Sequence, residues 1–136
     1  MIREIIHDPV FLARKSAPAT EADLSVAQDL LDTLRAHLDH CVGLAANMIG
    51  ERKRIIAVCS GPLIMIMLNP KILRKSGEYE TEESCLSLEG KRPTRRYRTV
   101  SVQWQDQQMK SHTDTLNGFV AQVVQHEIDH LNGILI

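Results

Sequence analysis

The most constraining feature of the sequence is the stretch His126-Glu127-Ile128-Asp129-His130, which has the form H-E-x-x-H. On an α-helix, residues at this spacing lie roughly 40° apart around the axis and about 6 Å apart along it, so both imidazoles point to one side. That spacing can hold a single metal ion, and the intervening glutamate can reach a water on the ion without being a ligand. The alternative is two hydrogen-bonded histidines on an ordinary helix, so a metal site requires a third ligand elsewhere in the chain.

The surrounding residues predict that this helix is buried. Apolar side chains occupy most of its other positions: Phe119, Val123, Val124, Ile128 and Leu131. A helix that is apolar nearly all round is usually buried. We therefore expect the central helix of the domain, from near Asn117 to a C-cap at Gly133, with its histidines facing a cleft.

Length and charge limit the classes of protein to which the chain can belong. Its 136 residues suit a single domain spanning 1–136, and the net charge of -1 gives no signal for nucleic acid or an anionic membrane. The longest apolar run, 62–68, is far too short to span a bilayer, and the N-terminus lacks a signal-peptide pattern. The cysteines are odd in number and predict reduced thiols in a cytoplasmic protein: Cys41, Cys59 and Cys85.

The pattern along the chain predicts an α+β fold, with antiparallel sheets packed around the metal-binding helix. Apolar residues recur at helical spacing over 24–38, which predicts an N-terminal amphipathic helix. Strands are predicted at 54–59, 63–68 and 97–104, with two further short candidates in 71–84 separated by Lys75-Ser76-Gly77. A turn at 105–107 leads into a polar partner strand.

Two charged runs lie between these strands. The acidic run is expected to be a solvated edge and consists of Glu78, Glu80, Glu82 and Glu83. The basic run is expected to be solvated or to pair with the acidic run, with a phosphate site as a minor alternative, and consists of Lys91, Arg92, Arg95, Arg96 and Arg98. Asp129 is interpreted equally well as an acceptor behind the metal site or as a charge paired with an arginine.

The third metal ligand is expected upstream, because only six residues follow His130. The candidates are several carboxylates together with Cys41, Cys59, Cys85, His7, His37, His40 and His112. Cys85 follows a candidate strand in polar surroundings, which suit a thiolate ligand whose pKa the metal would depress. Spacing favours Cys85 but leaves the choice open.

Three stretches together resemble the motifs of the bacterial peptide deformylase family. The family's G-x-G-[hydrophobic]-A-A-x-Q is similar to 41–48, its E-G-C-L-S to 83–87, and its Q-H-E-x-D-H to 125–130. The order and spacing agree, and the resemblance covers essentially the whole chain from Ile2. The chain is thus identified as a short, divergent member of that family.

This resemblance implies a metal-dependent hydrolase that removes the N-formyl group from the N-terminal methionine of nascent polypeptides and releases formate. It implies that Cys85, His126 and His130 bind the metal, with water in the fourth position. The implied physiological ion is Fe²⁺, with Zn²⁺, Ni²⁺ or Co²⁺ as substitutes, and the donor set suits zinc as well as iron. Glu127 is the implied general base and acid, and the backbone N–H of Leu86 helps to hold the oxyanion.

The resemblance also indicates how a substrate would bind. Its backbone is expected to lie as an extra strand beside Val42, Gly43 and Leu44, with an apolar pocket for the methionine side chain near the metal helix. The expected partners are N-formylmethionyl nascent peptides in the cytoplasm. Association with the ribosome is left open, and many family members carry a further C-terminal segment that is not found after Ile136.

Three residues depart from the family motifs. Met48 replaces the motif glutamine, and a methionine cannot donate a hydrogen bond to an oxyanion; losing such a donor typically costs about 10²–10³ in kcat. We expect slower deformylation or compensation by the amide of Asn47. Cys41 replaces the first glycine and is either a tolerated small residue or a redox-sensitive thiol, and Ser84 replaces the glycine of the second motif.

Three other functions are kept as alternatives. The first is a deformylase-like metalloprotein that acts on another N-formyl or amide substrate, or has reduced activity because of Met48. The second is a non-catalytic metal-binding or metal-sensing domain, against which Glu127 argues, because binding alone does not require it. The third is a protease of the H-E-x-x-H class, which is weakest because no further ligand follows the helix.

Overall fold

A computed structural model describes residues 1–136 and has an α+β fold, as predicted. One antiparallel sheet has its five strands in chain order, and they are β1 (Gly43–Ala45), β2 (Ile55–Ser60), β3 (Leu63–Cys85), β4 (Leu88–Gln105) and β5 (Ser111–Asn117). The helices are α1 (Pro9–Leu12), α2 (Leu24–Ala36) and α3 (Gly118–Leu131), with 3₁₀ turns at Glu21–Asp23 and Ala46–Ile49. None of the helices has the length and apolar character that crossing a membrane requires.

Helix α2 forms where the sequence predicted an amphipathic helix. A capping box precedes it, in which the Thr20 side chain accepts from Ala22 N and the Thr20 backbone N–H donates to Asp23. Its buried face consists of Ala27, Leu30, Thr33 and Leu34. The helix ends two residues before the predicted limit, and Leu38 beyond it is exposed.

Helix α3 begins and ends as the sequence predicted. Asn117 is its N-cap, and Gly133 lies just beyond the C-terminus with a left-handed φ of 76°. A Cβ at position 133 would lie 2.3 Å from the carbonyl oxygen of Ala13, so the close approach of the N-terminal segment also requires glycine. Nine residues of α3 are buried, in contact with β1, β2 and β4. The helix therefore lies in the core, and its polar residues face other buried groups.

Strand β3 is much longer than expected, because the two short candidates in 71–84 and the preceding strand form one continuous element. The pairing with β4 shifts register between Leu68 and Lys71 and again between Ile72 and Arg74. Each irregularity interrupts the alternation of inward and outward side chains without ending the strand. The prediction of separate strands was wrong for this reason.

The distal part of β3 and β4 is a two-stranded ribbon. Strand β2 pairs with β3 only as far as Leu68, and β5 pairs with β4 only from Thr99 onward. Residues 78–85 and 88–97 therefore have only each other as strand neighbours, and we call them the ribbon. Its turn, Cys85–Leu88, is called the ribbon tip. The second family-like motif, 83–87, spans the end of β3 and most of the tip, so the position of the ribbon determines the geometry of the site.

The two charged runs face each other across the ribbon. Arg95 pairs with Glu78 at the surface, whereas Arg96 pairs with Glu83 where both side chains are less than a tenth exposed. The expectation of a solvated edge was therefore wrong for Glu83. Because Glu83 lies in a run of exposed glutamates, the sequence did not indicate its buried partner Arg96, 13 residues later in the chain.

Candidate metal centre and catalytic pocket

Three predicted ligands converge where the ribbon tip meets helix α3. The donor atoms of Cys85, His126 and His130 all lie within 4.8 Å of one another. The Nε2 atoms of the two imidazoles lie 3.0 Å apart. Cys85 lies at the end of β3, and the backbone N–H of Ser87 points to its sulfur at 3.4 Å. The fold thus brings the thiol of Cys85 to two imidazoles that lie 41 residues or more later in the sequence.

The hydrogen bonds of the two histidines fit a divalent cation. His126 Nδ1 donates to Glu83 Oε1 at 2.8 Å, which leaves Nε2 as the nitrogen directed toward His130. His130 is fully buried, its Nδ1 has no hydrogen-bond partner, and burial lowers the pKa of its ring to about 3. This imidazole is therefore neutral and able to act as a ligand. One thiolate with two imidazoles is a donor set that suits Zn²⁺ and Fe²⁺.

Glu83 orients His126 and is itself fixed by two further side chains. Arg96 donates to both carboxylate oxygens, with Nη2 2.7 Å from Oε1 and Nε 2.9 Å from Oε2. Gln122 donates to Oε2 at 2.9 Å. Burial raises the pKa of Glu83, but the bonds from His126, Arg96 and Gln122 outweigh it and lower that pKa to about 2. The carboxylate is consequently charged and can only accept hydrogen bonds.

The same arginine connects the ribbon to helix α3. Arg96 Nη1 donates to Asp129 Oδ2 at 2.7 Å, so Asp129 pairs with an arginine, as one of its two interpretations held. Gln125 adds a pair of hydrogen bonds to the backbone of Tyr97, one in each direction and each 2.8 Å long. These contacts hold the ribbon against the helix next to the candidate metal ligands. Sequence analysis missed Arg96 and Gln122, because neither lies in a motif that signals contact with His126.

Glu127 is a buried carboxylate without a counter-charge in direct contact. It is 4 % exposed, and its Oε1 has no hydrogen-bond partner. Burial raises the pKa of this carboxyl to about 7. A carboxyl in this environment can both take up and release a proton near neutral pH.

A pocket of about 390 Å³ lies in front of these groups. Its walls come from the chain entering β1, the ribbon tip and helix α3, and they include Cys41, Val42, Gly43, Met48, Cys85, Leu86, Phe119, Val123, His126 and Glu127. Of the residues predicted to bind substrate, Val42 and Gly43 line the pocket. The Leu44 side chain is fully buried and does not line it, so Leu44 can contribute only through its backbone.

Strand β1 forms one edge of the sheet and leaves its outer side unpaired. The carbonyl oxygen of Val42 accepts from Cys59 N of β2 at 2.9 Å. Because alternate residues of a strand direct their backbone groups to opposite edges, those of Gly43 are directed to the unpaired edge. The Gly43 carbonyl oxygen accepts a hydrogen bond from the Cys41 thiol at 2.9 Å. An extended peptide could pair with this edge beside the pocket.

The residues that depart from the family motifs have well-defined contacts. Met48 lines the pocket, and its sulfur accepts from Ala45 N at 3.4 Å. Asn47 does not line the pocket, because its amide donates to the backbone carbonyl of His130 at 2.9 Å. Compensation by Asn47 for the missing glutamine was therefore a wrong expectation. Burial raises the pKa of the Cys41 thiol to about 12, which favours an inert small residue over a reactive thiolate.

Comparisons with known proteins agree with one another. Residues 2–136 match the family model described as polypeptide deformylase. A peptide deformylase of Clostridium beijerinckii is 54% identical over 136 residues, which cover 100% of both chains. The Met-Ala-Ser-bound crystal structure of a class I type b peptide deformylase from Acinetobacter baumannii has a TM-score of 0.89 and 30% identity, over 99% of this chain and 97% of that one. A peptide deformylase structure from Thermotoga maritima has the same TM-score and identity, over 99% and 95% of the two chains.

Proposed function

The chain belongs to the peptide deformylase family and removes the N-formyl group from the N-terminal methionine of nascent polypeptides, and we propose that Glu127 and the three convergent donors carry out this hydrolysis. The observation that carries the proposal is the position of these donors beside a buried, unpartnered carboxylate. Pure metal storage or sensing would not require that carboxylate.

We propose that Cys85, His126 and His130 hold one divalent ion. Two observations support this: the Nε2 atoms of the two histidines face each other, and the His126 Nδ1 is hydrogen-bonded to Glu83. That bond leaves His126 Nε2 free and directed toward His130. A divalent ion bound there supplies the Lewis acidity that activates water and polarises the formyl carbonyl. We expect Fe²⁺ as the physiological ion, with Zn²⁺, Ni²⁺ and Co²⁺ able to replace it.

Glu127 is the proposed general base and general acid. It accepts a proton from the attacking water as the oxygen of that water bonds to the formyl carbon. It then donates a proton to the methionine nitrogen as the carbon–nitrogen bond breaks, so formate and a free amine leave. The buried carboxyl with a free oxygen supports both transfers, since no fixed hydrogen bond has to be broken first.

The proposed oxyanion donor from the chain is the backbone N–H of Leu86, at the ribbon tip that lines the pocket. Met48 lies where the family motif has a glutamine and cannot make a second such bond. This observation favours one alternative, a deformylase of reduced activity or one acting on another N-formyl or amide substrate. Both functions share the ligands and the base and differ in rate and in substrate preference.

The substrate is proposed to pair with the free edge of β1 at Val42, Gly43 and Leu44. The outward direction of the Gly43 backbone groups supports this, as does the pocket beside them. The methionine side chain would contact the apolar part of the wall that contains Phe119 and Val123. We further propose that the single domain 1–136 acts in the cytoplasm on chains leaving the ribosome.

A formate-release assay with formyl-Met-Ala-Ser tests the proposal. We expect the metal-loaded protein to release formate and Glu127→Ala to lose this activity by about 10²-fold or more while retaining the metal. Glu21→Ala, which removes an exposed carboxylate outside the pocket, provides the control and should leave the rate unchanged. Formate release undiminished in Glu127→Ala would contradict the proposed role, and loss of metal in that variant would assign Glu127 to binding instead.

A further inference from the structure

The proposed thiolate ligand lies at a structurally weak point of the fold. Cys85 ends β3 and pairs with Leu88 at the ribbon tip, and the register shifts between Ser84 and Cys85. A two-stranded hairpin on its own is only marginally stable in water. The position of the Cys85 sulfur therefore depends on contacts that hold the tip to the rest of the protein.

Helix α3 contacts the ribbon from one side, through Asp129, which accepts from Arg96 of the ribbon, and through Gln125, which accepts from the backbone of Tyr97. The N-terminal segment supplies a contact from elsewhere in the chain. His7 Nδ1 donates to the carbonyl oxygen of Ser87 at 2.8 Å. Ser87 is 2 % exposed, and its own N–H points to the Cys85 sulfur at 3.4 Å. His7 is thus hydrogen-bonded directly to Ser87, the residue whose N–H contacts the sulfur.

The segment that carries His7 is itself attached to the core. Arg3 forms an ion pair with Asp29 of helix α2 at 3.0 Å, and its backbone N–H donates to the Thr33 side chain at 2.9 Å. The backbone N–H of Ile6 donates to the Met48 carbonyl oxygen at 2.8 Å. His7 therefore extends from a fixed backbone and can restrain the ribbon tip.

We propose that His7 is a positioning residue for the metal centre, which holds Ser87 and through it the sulfur of Cys85. The inference rests on the proposed metal site but adds a residue from outside all three motifs. The donor at Nδ1 is the essential feature, because a carbonyl oxygen can only accept. A side chain with an amide donor at the same distance from the backbone should replace it, whereas an apolar side chain should not.

The test measures zinc affinity by competition with a chelator, starting from the zinc-loaded protein. His7→Ala should bind zinc about 10–100-fold more weakly, the usual cost of losing a group that orients a ligand. His7→Asn keeps an amide N–H near the position of Nδ1 and should restore most of the affinity. His37→Ala is the matched control, because His37 Nδ1 also donates to a backbone carbonyl at 2.8 Å but at the end of helix α2.

A second measurement separates weakened metal binding from a damaged active site. With limiting zinc, His7→Ala should release less formate than the wild type, and excess zinc should restore the rate. Unchanged zinc affinity in His7→Ala, or equal losses in His7→Ala and His7→Asn, would overturn the inference. If the wild-type protein bound no metal, the proposed function would fail as well, whereas an active wild type with an unaffected His7→Ala overturns only the role of His7.

Discussion

Glu127 lies against the α-carbon of Gly43. A Cβ at position 43 would lie 2.9 Å from Glu127 Oε2 and 2.6 Å from Val123 Cγ1, both closer than ordinary contacts. The backbone of Gly43 does not have a left-handed φ, so conformation alone does not require glycine there. Glycine is instead required because Glu127, the proposed base, packs directly against the edge strand that would receive the substrate.

Gly43→Ala should therefore damage catalysis more than folding. Either the carboxylate or Val123 has to move, and overpacking of this kind typically costs about 1–3 kcal/mol in stability. We expect kcat for formyl-Met-Ala-Ser to fall by roughly 10²-fold, since small displacements of a catalytic group have effects of that size. Steady-state formate release and thermal unfolding of the zinc-loaded variant provide the measurements.

The double variant Gly43→Ala with Val123→Ala separates the two contacts. Removing the Val123 methyl groups should relieve the collision with that side chain and leave the collision with Glu127. If activity returned together with stability, packing against Val123 rather than the position of the base would explain the loss.

Met48→Gln should increase kcat. Methionine and glutamine have similar length, and position 48 lines the pocket, so the amide can supply the hydrogen-bond donor that the sulfur lacks. A preorganised donor of this kind is typically worth about 10²–10³-fold in kcat. The rate on formyl-Met peptides measures the effect, and Met48→Leu provides a control of similar volume without a donor. No increase in Met48→Gln would show that the chain does not need a donor at this position.

Arg96→Ala should strongly destabilise the protein. Its guanidinium is buried between Glu83 and Asp129, and removal of one partner from a buried charge cluster typically costs about 3–5 kcal/mol. Urea unfolding of the metal-loaded protein measures the loss. Arg95→Ala is the neighbouring control, because its pair with Glu78 is exposed and should contribute at most about 1 kcal/mol. Equal effects of the two substitutions would contradict the structural role assigned to Arg96.

The elements with strong helical periodicity could be predicted from sequence. Helix α2 buries Ala27, Leu30 and Leu34 as the spacing indicated, and α3 extends from its N-cap Asn117 to Leu131, shortly before Gly133. In these segments a local pattern and local capping residues determine both the element and its ends. The convergence of Cys85 with the two histidines, by contrast, was inferred from resemblance, since spacing alone left several candidates.

The ribbon could not be predicted in the same way. Its residues are largely exposed and have one strand neighbour, so no apolar alternation marks them. The shifts of register in β3 depend on the pairing with β4 and leave no local signature. The side chains around His126 and His130 were missed for a related reason, because Glu83, Arg96 and Asn47 take their roles from distant partners.

The three-residue length of β1 has a consequence for selectivity. A peptide added at so short an edge can share main-chain hydrogen bonds over only its first few residues, and such bonds are the same for every amino acid except proline. If the substrate pairs with β1 as proposed, discrimination would depend on the one side chain that enters the pocket, because the other residues would be bound through their backbone alone. Such an enzyme would act equally on the many different chains that begin with the same residue.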